Sequence, residues 1–427
     1  MPIALLHLDN GIDLILEPIV TAKTAAIGFW FSVGSRYEAK NQRGITHFVE
    51  HMLFKGTSSR TARDIALAFD RIGGYINAFT DRENLCVHCV VPSEYAEKAI
   101  EIMNDMMNHS LFSPEEIEKE RQVIESEIIS SYDDPEEAAN EAVFQAIWPN
   151  QSLSQSIAGS LEDIASLVRE DLLDWYTRYI QNGKLLICIS GNFSEKKIRA
   201  ALETNPDRKK VFNEPPFLLP KPHEGFHFLS ASFQMEQLFF CYNLEKPKTL
   251  QEYLHWHILN AIIGDTMSSR LFQSLRERAA YCYTVYSYYA TSSDSALLCA
   301  YASASKKNVK KLIADMKKEM QGLFALNISE EEVEASKQHL CGEEIIASED
   351  PEQRMKQLAL QYFLDLPLVN SEERIEEIKK TKVDQIEALI KNNLHVSKSA
   401  FALYGPSLGF YTKRMLKKNY KDDYAKK

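Results

Sequence analysis

The chain has 427 residues, enough for about two to four domains, and its 16 Gly and 15 Pro exclude fibrous and low-complexity architectures. Its formal net charge of −11 repels phosphate backbones, so no nucleic-acid partner is expected. No run approaches the ~18 consecutive apolar residues of a membrane-spanning helix, so no membrane association is expected either. The first residues, MPIALLHLDNGIDLILEP, lack the basic segment and cleavage site of a signal peptide, which predicts a cytoplasmic protein. They read as a hairpin, with Leu5–Leu8 and Ile12–Leu16 flanking Asp9-Asn10-Gly11. A strand (AAIGFWFSV), a helix around 43–54 and a second helix near 60–72 follow. The hairpin YINAFTDRENLCVHCVV comes next, then a helix with Ala96, Ile100, Met103 and Met107 on one face. Ser113-Pro114-Glu115-Glu116 is a capping box that opens a long helix.

A Pro-rich, charged stretch over 205–223 interrupts the pattern, after which the same order of elements returns. LFFCYNL reads as a strand, and Tyr253–Ile263 and Ser268–Arg278 read as helices. Strands YCYTVYSYYA and SALLCAYAS follow, then a helix over 306–323 and a second capping box, Ser329-Glu330-Glu331-Glu332. The expected fold class is α+β, with two homologous domains (1–204 and 224–427) joined by a linker and produced by internal duplication. Cys86 and Cys89 are three apart on a strand and point to opposite faces, so they cannot share a metal. All seven cysteines are read as packing residues.

The chemistry concentrates in RGITHFVEHMLFKG, residues 43–56. His47-Phe48-Val49-Glu50-His51 is H-x-x-E-H, the inverted order of the H-E-x-x-H zinc motif. His47 and His51 are four apart, so both imidazoles lie on one helix face, as two ligands of a tetrahedral zinc require. Glu50 sits beside them as a general base. A third ligand must come from elsewhere. Glu120 and Glu127, seven apart on the long helix, share a face flanked by Ile117, Ile124 and Ile128, where carboxylates are costly unless paired or metal-bound. His88 has no partner at ligand spacing, and His255 and His257 are two apart on a helix and diverge.

HFVEHMLFKGT followed by Glu127, with VGSRYE at 33–38, DRIGGYINAFTDRE at 70–83, DDP at 133–135 and ISGN at 189–192, resembles the pitrilysin/insulinase family of zinc metallopeptidases, processing-peptidase type. The resemblance implies one Zn²⁺ per chain held by His47, His51 and Glu127, with Glu120 behind a ligating histidine. It implies a two-domain, processing-peptidase-like α+β fold and an endopeptidase that cleaves unfolded or extended peptides inside an enclosed chamber, with Glu50 as base. SSRLFQSLRERAAYCYTVYSYY resembles the family segment with an Arg–Tyr pair, here Arg276 and Tyr283, for substrate backbone and oxyanion. Ala279-Ala280 stand where the family usually has a glycine. Asn77 and Ala78 match its substrate-binding edge strand. Glu137 and Glu141 match acids that receive a substrate arginine, or are solvated acids near a helix start. The family's chamber needs four α+β domains, which implies a homodimer or a heterodimer with a related subunit. The alternative is a non-catalytic peptide-binding subunit, or a core-type structural subunit of a hetero-oligomer.

Overall fold

The structure, a computed structural model, describes residues 3–206, 208, 217–325, 327–395, 398–406, 408, 413, 414 and 416–418. The expected linker therefore lies partly outside the described residues. β1 (Ala4–His7) and β2 (Asp13–Pro18) form the opening hairpin, closed where Leu8 N–H donates to Ile12 O at 2.9 Å. β3 (Thr24–Phe31), β4 (Tyr75–Thr80), β5 (Leu85–Pro92) and β6 (Leu185–Gly191) complete a sheet ordered β1-β2-β6-β3-β5-β4. β2 and β6 run parallel, and the other neighbours are antiparallel. Cys89 lies in the large core on one face and Cys86 in the cluster on the other, as alternation along a strand requires.

The second half repeats this plan. β7 (Gly225–Ser230), β8 (Met235–Glu245), β9 (Cys282–Thr291), β10 (Ser295–Ser305) and β11 (Ser399–Gly405) form a sheet ordered β7-β11-β8-β10-β9. β7 and β11 are its parallel pair, as β2 and β6 are in the first sheet, and each remaining pair has an antiparallel counterpart. Five of the first sheet's six strands thus recur in the second in the same order and direction, β1 alone having no counterpart, which is the signature of an internal duplication.

The helices of the first half are α1 (Ile45–Met52), α2 (Ala62–Ile72), α3 (Ala96–His109), α4 (Pro114–Asp133) and α5 (Pro135–Ile147). In α3, Ile100, Met103 and Met107 are wholly buried in the large core, as their spacing predicts. In the second half, a helix over Leu250–Asn260 widens into a π-helical stretch at Ala261–Asp265, and Phe272–Arg278 is also π-helical where a regular helix is expected.

The contiguous halves 1–204 and 224–427 require a correction, because the compact units are discontinuous. One comprises Met1–Ser130, Gln155–Phe217 and Ile346–Ser371; the other comprises Ser131–Ser154, Leu218–Ile345 and Glu372–Lys427. Each half of the sequence contributes a helix to the sheet of the other. Ala139, Val143 and Ile147 of α5 pack on Phe239, Cys241, Cys299 and Ala402 of the second sheet. Met355, Leu358 and Ala359 of the helix Pro351–Phe363 pack on Trp30, Cys86, Leu186 and Cys188 of the first.

Both exchanged helices begin Asp-Pro-Glu. Asp134 and Asp350 are their N-caps, accepting from Glu136 and Glu352 N–H at 2.8 Å, with Pro at the first helical position. The glutamate then receives a tyrosine hydroxyl from the edge strand, Tyr286 to Glu136 at 2.5 Å in one unit and Tyr75 to Glu352 in the other. In the first unit Arg354 also grips the buried Glu17 with both arms, at 2.6 and 2.9 Å.

Candidate metal centre

The site is built on α1. Its N-terminus turns on Gly44, whose φ of +78° favours glycine and whose added Cβ would stand 2.4 Å from Ala158 O. Glu38, 4% exposed, accepts the N–H of Gly44 at 2.8 Å and of Thr46 at 3.0 Å, so two donors that a helix start leaves unpaired are satisfied. Burial pushes the Glu38 carboxyl up to about 8, against the downward pull of these amides. Phe48, Val49 and Met52 bury the inner face of α1, which fixes the direction of His47, Glu50 and His51.

α4 approaches that face with Ile117, Ile124 and Ile128 in the core. One ligand atom from each of His47, His51 and Glu127 lies within 4.8 Å of the others. His47 Nε2 stands 3.7 Å from Glu127 Oε1, and His51 Nε2 stands 3.6 Å from Glu127 Oε2. Ligands about 2.1 Å from a tetrahedral zinc stand about 3.4 Å apart, and both of these separations lie near that value. Burial, then the neighbouring His51, pulls His47 down to about 4, which keeps its imidazole in the neutral form a metal needs. The donor set fits a zinc ion.

Behind the ligands, His51 Nδ1 lies 3.1 Å from Glu120 Oε2, which leaves Nε2 facing Glu127. Glu120 is 5% exposed, and its other oxygen is 2.6 Å from Lys55 Nζ. The carboxylate on the apolar stripe is therefore paired. Glu50 is turned toward β4, where Thr80 donates its hydroxyl to Oε2. Burial raises the Glu50 carboxyl above the usual range and Glu127 adds to this, while Thr80 and His51 oppose it. A carboxylate held in that direction is closer to the pKa a base needs near neutral pH.

The other candidates fall in two groups. Asn77 and Ala78 lie on β4, the terminal strand of the first sheet, and Asn77 Oδ1 accepts the Ala78 N–H at 2.9 Å. Arg276 and Tyr283 belong to the second unit, with the guanidinium 4.8 Å from the Tyr283 ring centre and 4.6 Å from that of Phe272. Tyr283 is 79% exposed, which packing does not explain. Ala280 between them has φ +50°, a left-handed conformation suited to the glycine expected there. Glu137 and Glu141 lie on α5, also in the second unit; Glu137 is exposed and Glu141 accepts from Gln145 at 3.0 Å.

Three residues escaped the sequence reading: Glu38, Lys55 and Thr80. Thr80 had a signal, since Ala78 and Thr80 are two apart and share a strand face. His88 gains a partner the sequence did not suggest, Glu352 at 3.1 Å from its Nε2.

Comparison with known proteins agrees with this geometry. Residues 14–161 match the family described as Insulinase (Peptidase family M16), and residues 166–340 match the Peptidase M16 inactive domain. An uncharacterized zinc protease, YmxG of Bacillus subtilis, is 31% identical over 405 residues, spanning 93% of this chain and 97% of its own. Another, from Rickettsia felis, is 32% identical over 400 residues, spanning 94% and 97%. A crystal structure of a peptidase M16 inactive domain from Pseudomonas fluorescens shares the fold with TM-score 0.87 at 15% identity, covering 96% of this chain and 99% of that one. The chain belongs to the insulinase family of metallopeptidases, peptidase family M16.

Proposed function

We propose that this protein is a zinc endopeptidase of the processing-peptidase type, acting on unfolded or extended peptides. The observation that carries the reading is the convergence of His47, His51 and Glu127 donor atoms beside Glu50. A zinc ion held there, one per chain, would polarise the scissile carbonyl and acidify water. Glu50 takes the proton from the attacking water and delivers it to the leaving amine. Glu120 and Lys55 hold His51 in the tautomer that presents Nε2. The free edge of β4 at Asn77 and Ala78 pairs with the peptide main chain, which selects extended substrates.

Tyr283 stabilises the oxyanion and Arg276 the substrate backbone, a reading supported by the exposure of Tyr283. Glu137 and Glu141 receive a basic side chain near the cut. The working unit is a dimer of this chain or of this chain with a related subunit, enclosing a chamber. No helix among the described residues is long and apolar enough to cross a membrane, in keeping with a cytoplasmic enzyme. A non-catalytic subunit is the second reading; retention of the full donor set with Glu50 disfavours it. Metal analysis together with hydrolysis of a quenched peptide library separates them. The proposal requires bound zinc and cleavage that a chelator abolishes and zinc restores; zinc-free protein that only binds peptide refutes it.

A further inference from the structure

We infer that Thr80 is a positioning residue for Glu50, holding the base through its hydroxyl; this rests on the reading of Glu50 as general base. β4 alternates, so Ile76, Ala78 and Thr80 share a face, and Ile76 and Ala78 pack against the core that α1 also covers. Glu50 projects from α1 toward the end of that row, where Thr80 Oγ1–H donates to Oε2. A glutamate has three rotatable bonds, and this bond commits one carboxylate oxygen, leaving Oε1 for the water.

The donor itself is held firmly. Thr80 is β-branched, which restricts its χ1, and its backbone pairs with Leu85. The turn just beyond is braced by Asp81, which accepts the N–H of Glu83 and of Asn84, each at 2.6 Å. Arg36, whose side chain is wholly buried, fastens Glu83 at 2.6 Å. The hydroxyl therefore sits on rigid backbone rather than on a mobile loop. The same strand carries Asn77 and Ala78 on its free edge, so the element that pairs with the peptide also aims the base.

Thr80→Val keeps the shape and removes only the donor, whereas Thr80→Ser keeps the donor. Misplacing a reacting group by about 1 Å costs up to ~10²-fold in rate, so Thr80→Val should lower kcat by about 10–100-fold. KM, zinc affinity and folding should stay at parent values, and Thr80→Ser should recover most of kcat. In crystals of the metal-free proteins, Glu50 should leave its parent rotamer in Thr80→Val and keep it in Thr80→Ser. If Thr80→Val fails to fold, Thr80→Ala against Thr80→Ser gives the same comparison. An active parent whose Thr80→Val variant retains kcat within twofold, or loses zinc affinity in proportion to rate, overturns the role of Thr80 alone. A zinc-loaded parent that cleaves no peptide overturns the peptidase reading instead, and an unmoved Glu50 in Thr80→Val crystals overturns the positioning whatever the activity.

Discussion

His51 Nδ1 and Glu120 Oε2 lie 3.1 Å apart, and the opposite oxygen of Glu120 meets Lys55 Nζ at 2.6 Å. A histidine fixed through one ring nitrogen presents the other to a metal at no further ordering cost. Replacing Glu120 by Gln should weaken zinc binding by about 10–100-fold, the usual effect of losing such support. Glu127→Gln should weaken it more, since it removes a ligand charge. A zinc titration that ranks the two variants the other way exchanges their roles.

The buried His47 makes the metal-free protein sensitive to acid. Its folded pKa of about 4 lies below the 6.5 of an unfolded imidazole. Between these values the unfolded chain binds more protons, so stability rises with pH through the window and is lost as pH falls from 6.5 to 4. The contribution is on the order of 3 kcal/mol for a side chain this buried. From pH 7 to pH 4 the denaturant midpoint of the metal-free parent should therefore fall relative to that of His47→Gln; a constant difference contradicts the assignment.

Much of this site is legible in sequence because its geometry is local. His47, Glu50 and His51 sit within two turns of one helix, and their spacing alone sets their directions. Glu127 is different: residue spacing offers both Glu120 and Glu127, and only the family resemblance chooses between them. Glu38, Lys55 and Thr80 act through tertiary contacts, and their types are common enough to pass unnoticed. The duplication is visible as a repeated order of elements, but the exchange of helices is not. Asp134-Pro135 and Asp350-Pro351 announce helix starts, while the sheet each helix will cover depends on contacts with residues far along the chain.

Ala280 offers a stability test. Its φ of +50° costs an L-residue roughly 1–2 kcal/mol, and a glycine gives back about half of that gain as unfolded-chain entropy. Ala280→Gly should stabilise the protein by about 0.5–1 kcal/mol. An unchanged or lower denaturation midpoint contradicts the strain.

Subunit mixing tests whether, in the proposed dimer, Tyr283 of one chain serves the metal site of the other. A Glu50→Gln chain and a Tyr283→Phe chain should each be poorly active. If the proposed dimer sets Tyr283 of one chain against the Glu50 site of the other, a mixed heterodimer holds one site with both groups intact, and its activity should recover toward half of one normal dimer. No recovery in a verified heterodimer means that the tyrosine acts within its own chain, and a monomer fully active at dilution removes the dimer from the mechanism.

The most direct measurement is zinc content and peptide cleavage of Glu50→Gln beside the parent. The amide keeps the shape of the side chain and removes the base. One zinc per chain is expected in both proteins, with a rate about 10²–10⁴-fold lower in the variant. A Glu50→Gln protein that holds one zinc and cleaves at the parent rate would contradict the role of Glu50 as base.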